Sequence, residues 1–488
     1  MAKQSPALPP ALILRNLADA ERLIGAERLD DALAVLDRIA AAAANSPELH
    51  RLRGEALGRK RDMTAALRSF ERAVRLAPGA ARYRAVLAQH LRHMGDHPQA
   101  IRHLGSAAGL EPPDPELKLM LADWLVQAGE AEKAKAEAEA VFGLATRNPD
   151  LILRACEILD RAGALTEAIA GVEMAARLRP DDPLIRQTLR RLYSRAVPAW
   201  HFPMMNDTAR NAAYQAAIQR AVGPDTHVLD IGCGAGLLSL LAAGAGARRV
   251  TAIEANATIA AAAADVMERN GVADRVKVIP KVSTACRVGA DVDQPADLLV
   301  HEILSDAVLG EYVIATLRHA RQHLLKPGAQ LIPHTISAMG ALIGGETLMP
   351  WLYVDTVSGF DMSPFNRFVS DVISIRLDDR TYVIQSEAVE IFRFDLRVDT
   401  LVPQQRTVVF TATVPGPCCG VVLWNRLHLD AETSFDNRPH PGAIKPSAWA
   451  HVLYPLPAPV RLGIGDKIAI SATHDTVALH LAATGTKA

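Results

Sequence analysis

The sequence predicts three successive domains of different class: an α-helical solenoid of repeats, an α/β domain on a parallel sheet, and an antiparallel β-barrel. Three observations carry this. Small residues recur every 34 residues through the first 195. Strand, glycine-rich turn, helix and second strand follow one another in "HVLDIGCGAGLLSLLAAGAGARRVTAIEAN" (227–256). From about residue 335, short segments alternate apolar and polar residues between Pro, Gly and Asp, as half-buried strands do. The expected boundaries are 11–195, 196–334 and 335–488.

Composition sets the context. A chain of 488 residues has room for two to four domains with cores of their own. Lys plus Arg number 53 against 54 Asp plus Glu, a net charge of -1, so nucleic acid is not expected as a direct partner. The five cysteines, Cys156, Cys233, Cys286, Cys418 and Cys419, form no C-x-x-C pair and no Cys/His cluster at ligand spacing. Neither a metal site nor a disulfide framework is expected. The first residues, "MAKQSPALPPALILRNL", are broken by three prolines and make a poor signal peptide. No run of about 18 apolar residues is present to cross a membrane. The expected location is cytoplasmic, away from membranes.

In the first domain Ala32, Ala66, Ala100, Ala134 and Ala168 keep the 34-residue interval. Ala73, Ala107, Val141 and Ala175 keep it seven places later. Gly95, Gly129 and Gly163 mark a turn, and Pro78, Pro112 and Pro180 the ends of helix pairs. Small residues are needed where antiparallel helices cross closely, and glycine suits the tight turn between them. The pattern resembles tetratricopeptide repeats in about five copies. An ordinary helical bundle is the blander alternative. Such hairpins stack into a curved solenoid with a concave binding surface.

In the second domain a glycine loop after a strand is a weak signal alone, because many nucleotide-binding folds carry one. Here the spacing is G-x-G-x-G, with Gly232, Gly234 and Gly236; Leu237 stands where a dinucleotide fingerprint needs its third glycine. Asp230 at the strand end would repel a pyrophosphate. It suits a cationic ligand such as S-adenosyl-L-methionine. Glu254 ends the second strand, 22 residues after Gly232, where an acid can accept from both ribose hydroxyls. A class I methyltransferase fold is the natural reading, with an NAD-binding domain as the alternative.

The stretch "HEILSDAVLGE" (301–311) then carries two acids nine residues apart, Glu302 and Glu311. "DLLV" before it reads as a buried strand, and "YVIATLRHARQHLLKPG" after it reads as a helix ending at Pro-Gly. Glu302 is expected at the strand's carboxyl end and Glu311 in the first turn of that helix. The helix dipole alone would favour an acid there, and an acid after a strand often only faces solvent. Following the fourth strand of such a sheet, both can instead point into the crevice beside the cofactor.

These residues resemble those of the protein arginine N-methyltransferases, in particular the branch with N-terminal tetratricopeptide repeats. The two-glutamate hairpin is met by Glu302 and Glu311. "WHFPMMNDTARNAAYQAAI" (200–218) is similar to the family's cofactor lid, with His201, Met204 and Arg210 in place. "SGFDMS" (358–363) and "VVLWNRLHLDAETSF" (421–435) resemble segments of its barrel. The resemblance covers about 197–480. It implies that Arg210 binds the cofactor's carboxylate, that His201 caps the site, and that the backbone at Gly232 and Gly234 approaches the cofactor. It also implies Met204 and Trp449 beside the target, a protein substrate bearing the target arginine, and a homodimer through an arm in the barrel. Without the family, Met204 reads as core and His201 as structural.

The chemistry suits the pair. A guanidinium stays protonated, so its nitrogens are poor nucleophiles. Two carboxylates grip its planar fork and draw positive charge toward the nitrogens they hold, which leaves the remaining nitrogen richer and aimed at the methyl donor.

The chain departs from the pattern at two places. Ser283, in "PKVSTA", stands where an acid contacts adenine; Ser447, Ala448 and Trp449 replace Thr-His-Trp. His451 is not an obvious substitute, because two places along a strand is about 6 to 7 Å away. The missing histidine implies monomethylarginine with some symmetric dimethylarginine as product. Two other function classes fit the same residues: a repeat scaffold with an inactive methyltransferase domain, and a methyltransferase for a non-arginine substrate.

Overall fold

A computed structural model of the chain describes residues 8–377, 381–398, 401–440 and 449–485. They divide into two compact units, Met1–Ala196 and Val197–Ala488.

The first unit is all helix: α1 (Pro10–Gly25), α2 (Leu29–Ile39), α3 (Pro47–Arg59), α4 (Met63–Leu76), α5 (Ala81–His93), α6 (His97–Ala108), α7 (Pro115–Gln127), α8 (Ala131–Leu144), α9 (Pro149–Arg161), α10 (Leu165–Leu178) and α11 (Pro183–Ala196). Several starts follow from a capping side chain set before proline. Ser46 accepts from the Leu49 amide, Asp114 from Glu116 and Asn148 from Leu151, each with proline first in the helix. The periodic alanines Ala32, Ala66, Ala134 and Ala168 are wholly buried at the helix crossings. Gly95, Gly129 and Gly163 have φ of 85°, 77° and 82°, the left-handed turn expected of them. One and two periods earlier, Arg61 (φ 65°) and Glu27 (φ 58°) adopt that same conformation without glycine.

The second unit opens with α12 (His201–Met205) and α13 (Thr208–Ala221). A doubly wound sheet follows, made of β1 (His227–Ile231), β2 (Arg249–Glu254), β3 (Val276–Pro280), β4 (Ala296–His301) and β5 (Leu325–Ile332), with α14 (Leu237–Gly244), α15 (Ala257–Arg269) and α16 (Val313–His323) as crossovers. All pairs are parallel and the order is β3-β2-β1-β4-β5. The order reverses between β1 and β4, and ligands of such sheets bind at the carboxyl ends beside that point. β1 is buried along its whole length, as its apolar run requires.

Two sequence expectations are corrected here. Glu311 lies in the loop ahead of α16, in the left-handed conformation (φ 59°), not in the helix's first turn. Helix formation waits until Val313 because Tyr312 is left-handed as well (φ 56°). The Pro-Gly pair also fails to end that helix. α16 stops at His323, buried Leu324 and Leu325 lead the chain into the sheet, and Pro327 and Gly328 lie within β5. There Gly328 (φ 77°) accommodates the register shift against β4.

Past residue 335 come β6 (Thr335–Gly344), α17 (Met349–Leu352), β7 (Thr356–Val357), β8 (Phe360–Asp361), β9 (Ile373–Ile375), β10 (Val383–Ile384), β11 (Val389–Asp395), β12 (Gln404–Thr411), β13 (Gly416–His428), β14 (Ser434–Asp436), β15 (His451–Leu462), β16 (Lys467–His474) and β17 (Leu479–Gly485). The strand pairs among these described residues are antiparallel: one sheet runs β10-β6-β13-β15-β9, with β11 also on β6 and β14 on β13, and another runs β12-β16-β17. A bridge between Ser386 and Ala412 and a hydrogen bond from the Tyr454 hydroxyl to the Leu479 carbonyl (2.9 Å) join the two sheets. Their apolar faces share one core with the parallel sheet. His451 is buried, with Nε2 2.9 Å from the Asn437 carbonyl, so it serves the fold.

Candidate active site

The residues expected to hold a cofactor lie at the carboxyl ends of β1 and β2. Gly232, Gly234 and Gly236 all have positive φ (70°, 54° and 86°), which turns the chain from β1 into α14. A Cβ on Gly232 would lie 2.4 Å from Ile303, and one on Gly236 2.2 Å from Met267, so neither position has room for a side chain. Asp230 is fully buried. The Ser239 hydroxyl donates to its Oδ2 (2.6 Å), while Oδ1 has no partner. Burial, and then the charge of Glu254, push this carboxyl up to about 7 against the hydrogen bonds from Ser239. Glu254 accepts from the Gly234 amide (3.1 Å) and the Asn256 amide (2.8 Å), which ties the glycine loop to the end of β2.

His201 lies over this loop: a Cβ at Gly234 would be 3.9 Å from its ring. Its Nδ1 is 2.9 Å from the Pro198 carbonyl, and Trp200 stacks on it at 3.8 Å between ring centroids. Ser283 follows β3 as the first residue of a 3-10 turn and is buried.

Glu302 and Glu311 line one cavity of about 200 Å³. Met204 and Trp449 line the same cavity, joined by Trp200, Leu304, Ser305, Asp306, Arg376 and Ala450. The loop between the glutamates is strained. Val308, buried and β-branched, has φ 74°, and Glu311 and Tyr312 are also left-handed. Side chains hold it in place. The Ser305 hydroxyl accepts from the Ala307 and Gly310 amides (3.2 and 3.1 Å), and Asn425 on β13, itself fully buried, donates from Nδ2 to the Ser305 carbonyl (3.0 Å). Loss of water, and then the charges of Glu254 and Asp306, push the Glu311 carboxyl above the usual range.

Arg210, expected to face the cofactor, forms an ion pair with Glu302. Its Nη1 also donates to the Met204 carbonyl (3.1 Å) and to Asn211 (2.6 Å), and the group lies 5.5 Å from the Tyr214 ring centre. Burial lowers the pKa of this guanidinium. Ser447 and Ala448 lie outside the described residues. The sequence reading missed Trp200, Ser305, Asp306, Asn425 and Arg376. The first four stand inside or beside the quoted motifs; Arg376 reaches the site only through pairing of β9 with β15.

A family model for ribosomal protein L11 methyltransferase matches residues 214–336, and a tetratricopeptide-repeat model matches 91–142. An "Arginine N(omega)-methyltransferase" of Streptomyces achromogenes subsp. streptozoticus is 36% identical over 277 residues, covering 57% of this chain and 76% of that relative. A "Protein arginine N-methyltransferase 7" of Drosophila pseudoobscura pseudoobscura is 32% identical over 321 residues, 57% of this chain and 46% of its own length. The match thus spans about half of that relative. In fold, the Trypanosoma brucei PRMT1 enzyme–prozyme heterotetramer with AdoHcy is similar at a TM-score of 0.50 and 23% identity, covering 57% of this chain and 88% of that one. On the strength of the Streptomyces relative, this chain belongs to the arginine N-methyltransferase family, with tetratricopeptide repeats ahead of its methyltransferase domain.

Proposed function

We propose that the chain is an S-adenosyl-L-methionine-dependent arginine N-methyltransferase in which Glu302 and Glu311 clamp the target guanidinium. The observation that carries this is the single cavity holding both carboxylates beside Met204 and Trp449. The neighbouring glycine loop fits the cofactor. Asp230 Oδ1 is buried without a partner and suits an ammonium; Gly232 permits close backbone approach; Glu254, with two amides on it, retains lone pairs for ribose hydroxyls. His201 would cover the cofactor and Arg210 would meet its carboxylate. When bound, the cofactor supplies the electrophilic methyl group. Glu302 and Glu311 would hold the guanidinium fork and stabilise its charge, and a clamp carboxylate or water would take the proton that the methylated nitrogen sheds.

The solenoid docks a protein that brings the arginine, a role its repeat architecture suits. The name of the Streptomyces relative speaks of arginine and that of the insect relative of protein arginine, so both presentations fall within the proposed reaction. Monomethylarginine with some symmetric dimethylarginine is the proposed product, because Ala448 replaces histidine. A homodimer would form through the segment after β6, where Phe360, Phe365 and Phe368 are 71%, 62% and 63% exposed.

The test is methyl transfer from labelled cofactor to an arginine-rich protein extract and to free arginine, followed by amino-acid analysis. Label on arginine nitrogen is expected. Label on another residue, or none with cofactor bound, would contradict the proposal.

A further inference from the structure

We infer that Trp200 is a substrate-contacting residue: its indole takes one face of the target guanidinium while Glu302 and Glu311 hold the edges. The inference rests on the reading of the two glutamates as a guanidinium clamp.

The shape of the ion is the first ground. The N–H bonds of an arginine guanidinium lie in one plane, so carboxylates meet it along its edge. Its two faces offer no donor and are weakly hydrated. An aromatic face, negative at its centre, is the surface that complements them. A cavity of about 200 Å³ is below the roughly 300–1,000 Å³ of pockets for larger ligands, so a guanidinium held there lies against a wall. The chain makes this pairing elsewhere: the Arg92 guanidinium lies 4.5 Å from the ring centre of Trp124.

The choice of wall is the second. Two indoles line the cavity, Trp200 and Trp449. Trp449 is 8% exposed and packs on Phe435 at 5.9 Å between ring centroids. Trp200 is 44% exposed. The buried His201 ring covers one face of it, at 3.8 Å and 15° between planes, so the side of the indole away from His201 is what a ligand meets. A tryptophan already held from behind loses little further freedom when a ligand settles on it.

Local structure is the third. The Met204 amide donates to the Trp200 carbonyl (3.2 Å), so the two side chains stand on one face of a single turn, and both line the cavity. Family resemblance gives roles to His201 and Met204 in this segment and none to Trp200.

The experiment places tryptophans of increasing fluorination at position 200 alone, by suppression of a stop codon in the full chain. Fluorine nearly preserves the ring's shape but withdraws negative charge from its face. Calorimetry measures dissociation constants for L-arginine and for a glycine-flanked arginine peptide, each with S-adenosylhomocysteine present, and for S-adenosylhomocysteine alone. Methyl transfer is measured on the same preparations. The logarithm of the arginine dissociation constant should rise steadily with fluorination, to about 3- to 30-fold, with S-adenosylhomocysteine affinity within about twofold. Trp200→Phe should fall between the unaltered chain and Trp200→Leu. A loss with Trp200→Leu but no trend with fluorination would make the indole a steric wall and overturn the inference. A trend in S-adenosylhomocysteine affinity in place of arginine affinity would show Trp200 acting through His201, and would overturn it as well. Either result leaves arginine methylation by the unaltered chain standing. Failure of that chain to methylate either form of arginine would remove the clamp reading itself, and the contact with it.

Discussion

Arg210 and Glu302 form a buried ion pair, their side chains 5% and 4% exposed, that joins helix α13 to the end of strand β4. Each is a residue for which the sequence suggests a different ligand, so under the proposed function the pair would couple the cofactor side of the site to the guanidinium side. Removing one partner of such a pair strands the other charge at about 3 to 5 kcal/mol. Arg210→Ala should therefore lower the melting temperature of the ligand-free chain more than Arg210→Met with Glu302→Gln together. A double-mutant cycle by thermal unfolding checks this, and strict additivity would show that the two groups do not interact.

Asp230 sets a pH dependence. Its carboxyl is raised from 3.8 to about 7, so the folded chain favours the protonated form. That contribution to stability is fully present below pH 3.8 and is lost as pH rises through about 7. An ammonium ligand needs the ionised form. Cofactor affinity should consequently rise up to about tenfold per pH unit below pH 7 and level off above it. Calorimetry across pH 5.5 to 8.5, roughly the range of the transition, is the check. Asp230→Asn should bind weakly and flatten the curve.

Arg61 occupies a turn that glycine fills in three later repeats, at φ 65°. A left-handed non-glycine residue costs about 1 to 2 kcal/mol, partly offset because glycine loses more chain entropy on folding. Arg61→Gly should stabilise the solenoid by about 0.5 to 1 kcal/mol. Urea unfolding followed at the helical signal measures it; destabilisation would mean the arginine side chain supports the turn.

Asn425 holds the glutamate loop from β13 through one hydrogen bond of 3.0 Å. Asn425→Ala leaves the Ser305 carbonyl without that donor and frees a loop whose strained residues need outside support. The expected result is a fall in kcat/KM of about tenfold or more, since a small displacement of clamp residues is expensive in rate. Cofactor affinity should stay within about twofold, because the contact lies on the guanidinium side. A larger loss of cofactor affinity would mean the loop supports both sides.

Legibility in the sequence followed the range of the interaction. Ala66, Ala134 and their periodic partners could be read because helix crossings demand small residues at a fixed interval. Glu302 could be placed because β4 announces itself as an apolar run that must end at the sheet's carboxyl edge. Glu27 and Arg61 gave no sign of their left-handed turns, since nothing local distinguishes a tolerated strain from a helical residue. Glu311 was misplaced for the same reason. Its helix pattern begins at once, but two left-handed residues delay the helix. Arg376 reaches the site only through strand pairing, and Asn425, though inside a quoted motif, meets the loop by a long-range hydrogen bond that no local spacing records. The Arg210–Glu302 pair was likewise invisible, because each residue has a sufficient local explanation on its own.

The most direct test of the clamp is Glu311→Gln in the full chain, with single-turnover methyl transfer to arginine and cofactor affinity measured on one preparation. Glu311 is chosen because Glu302 also partners Arg210. The amide keeps the shape but removes the charge that steadies the guanidinium and turns one of the two acceptor atoms into a donor. Transfer should fall by about two orders of magnitude or more, as when other preorganised charge-stabilising groups are removed, with cofactor affinity essentially unaltered. Turnover near that of the unaltered chain would contradict the clamp.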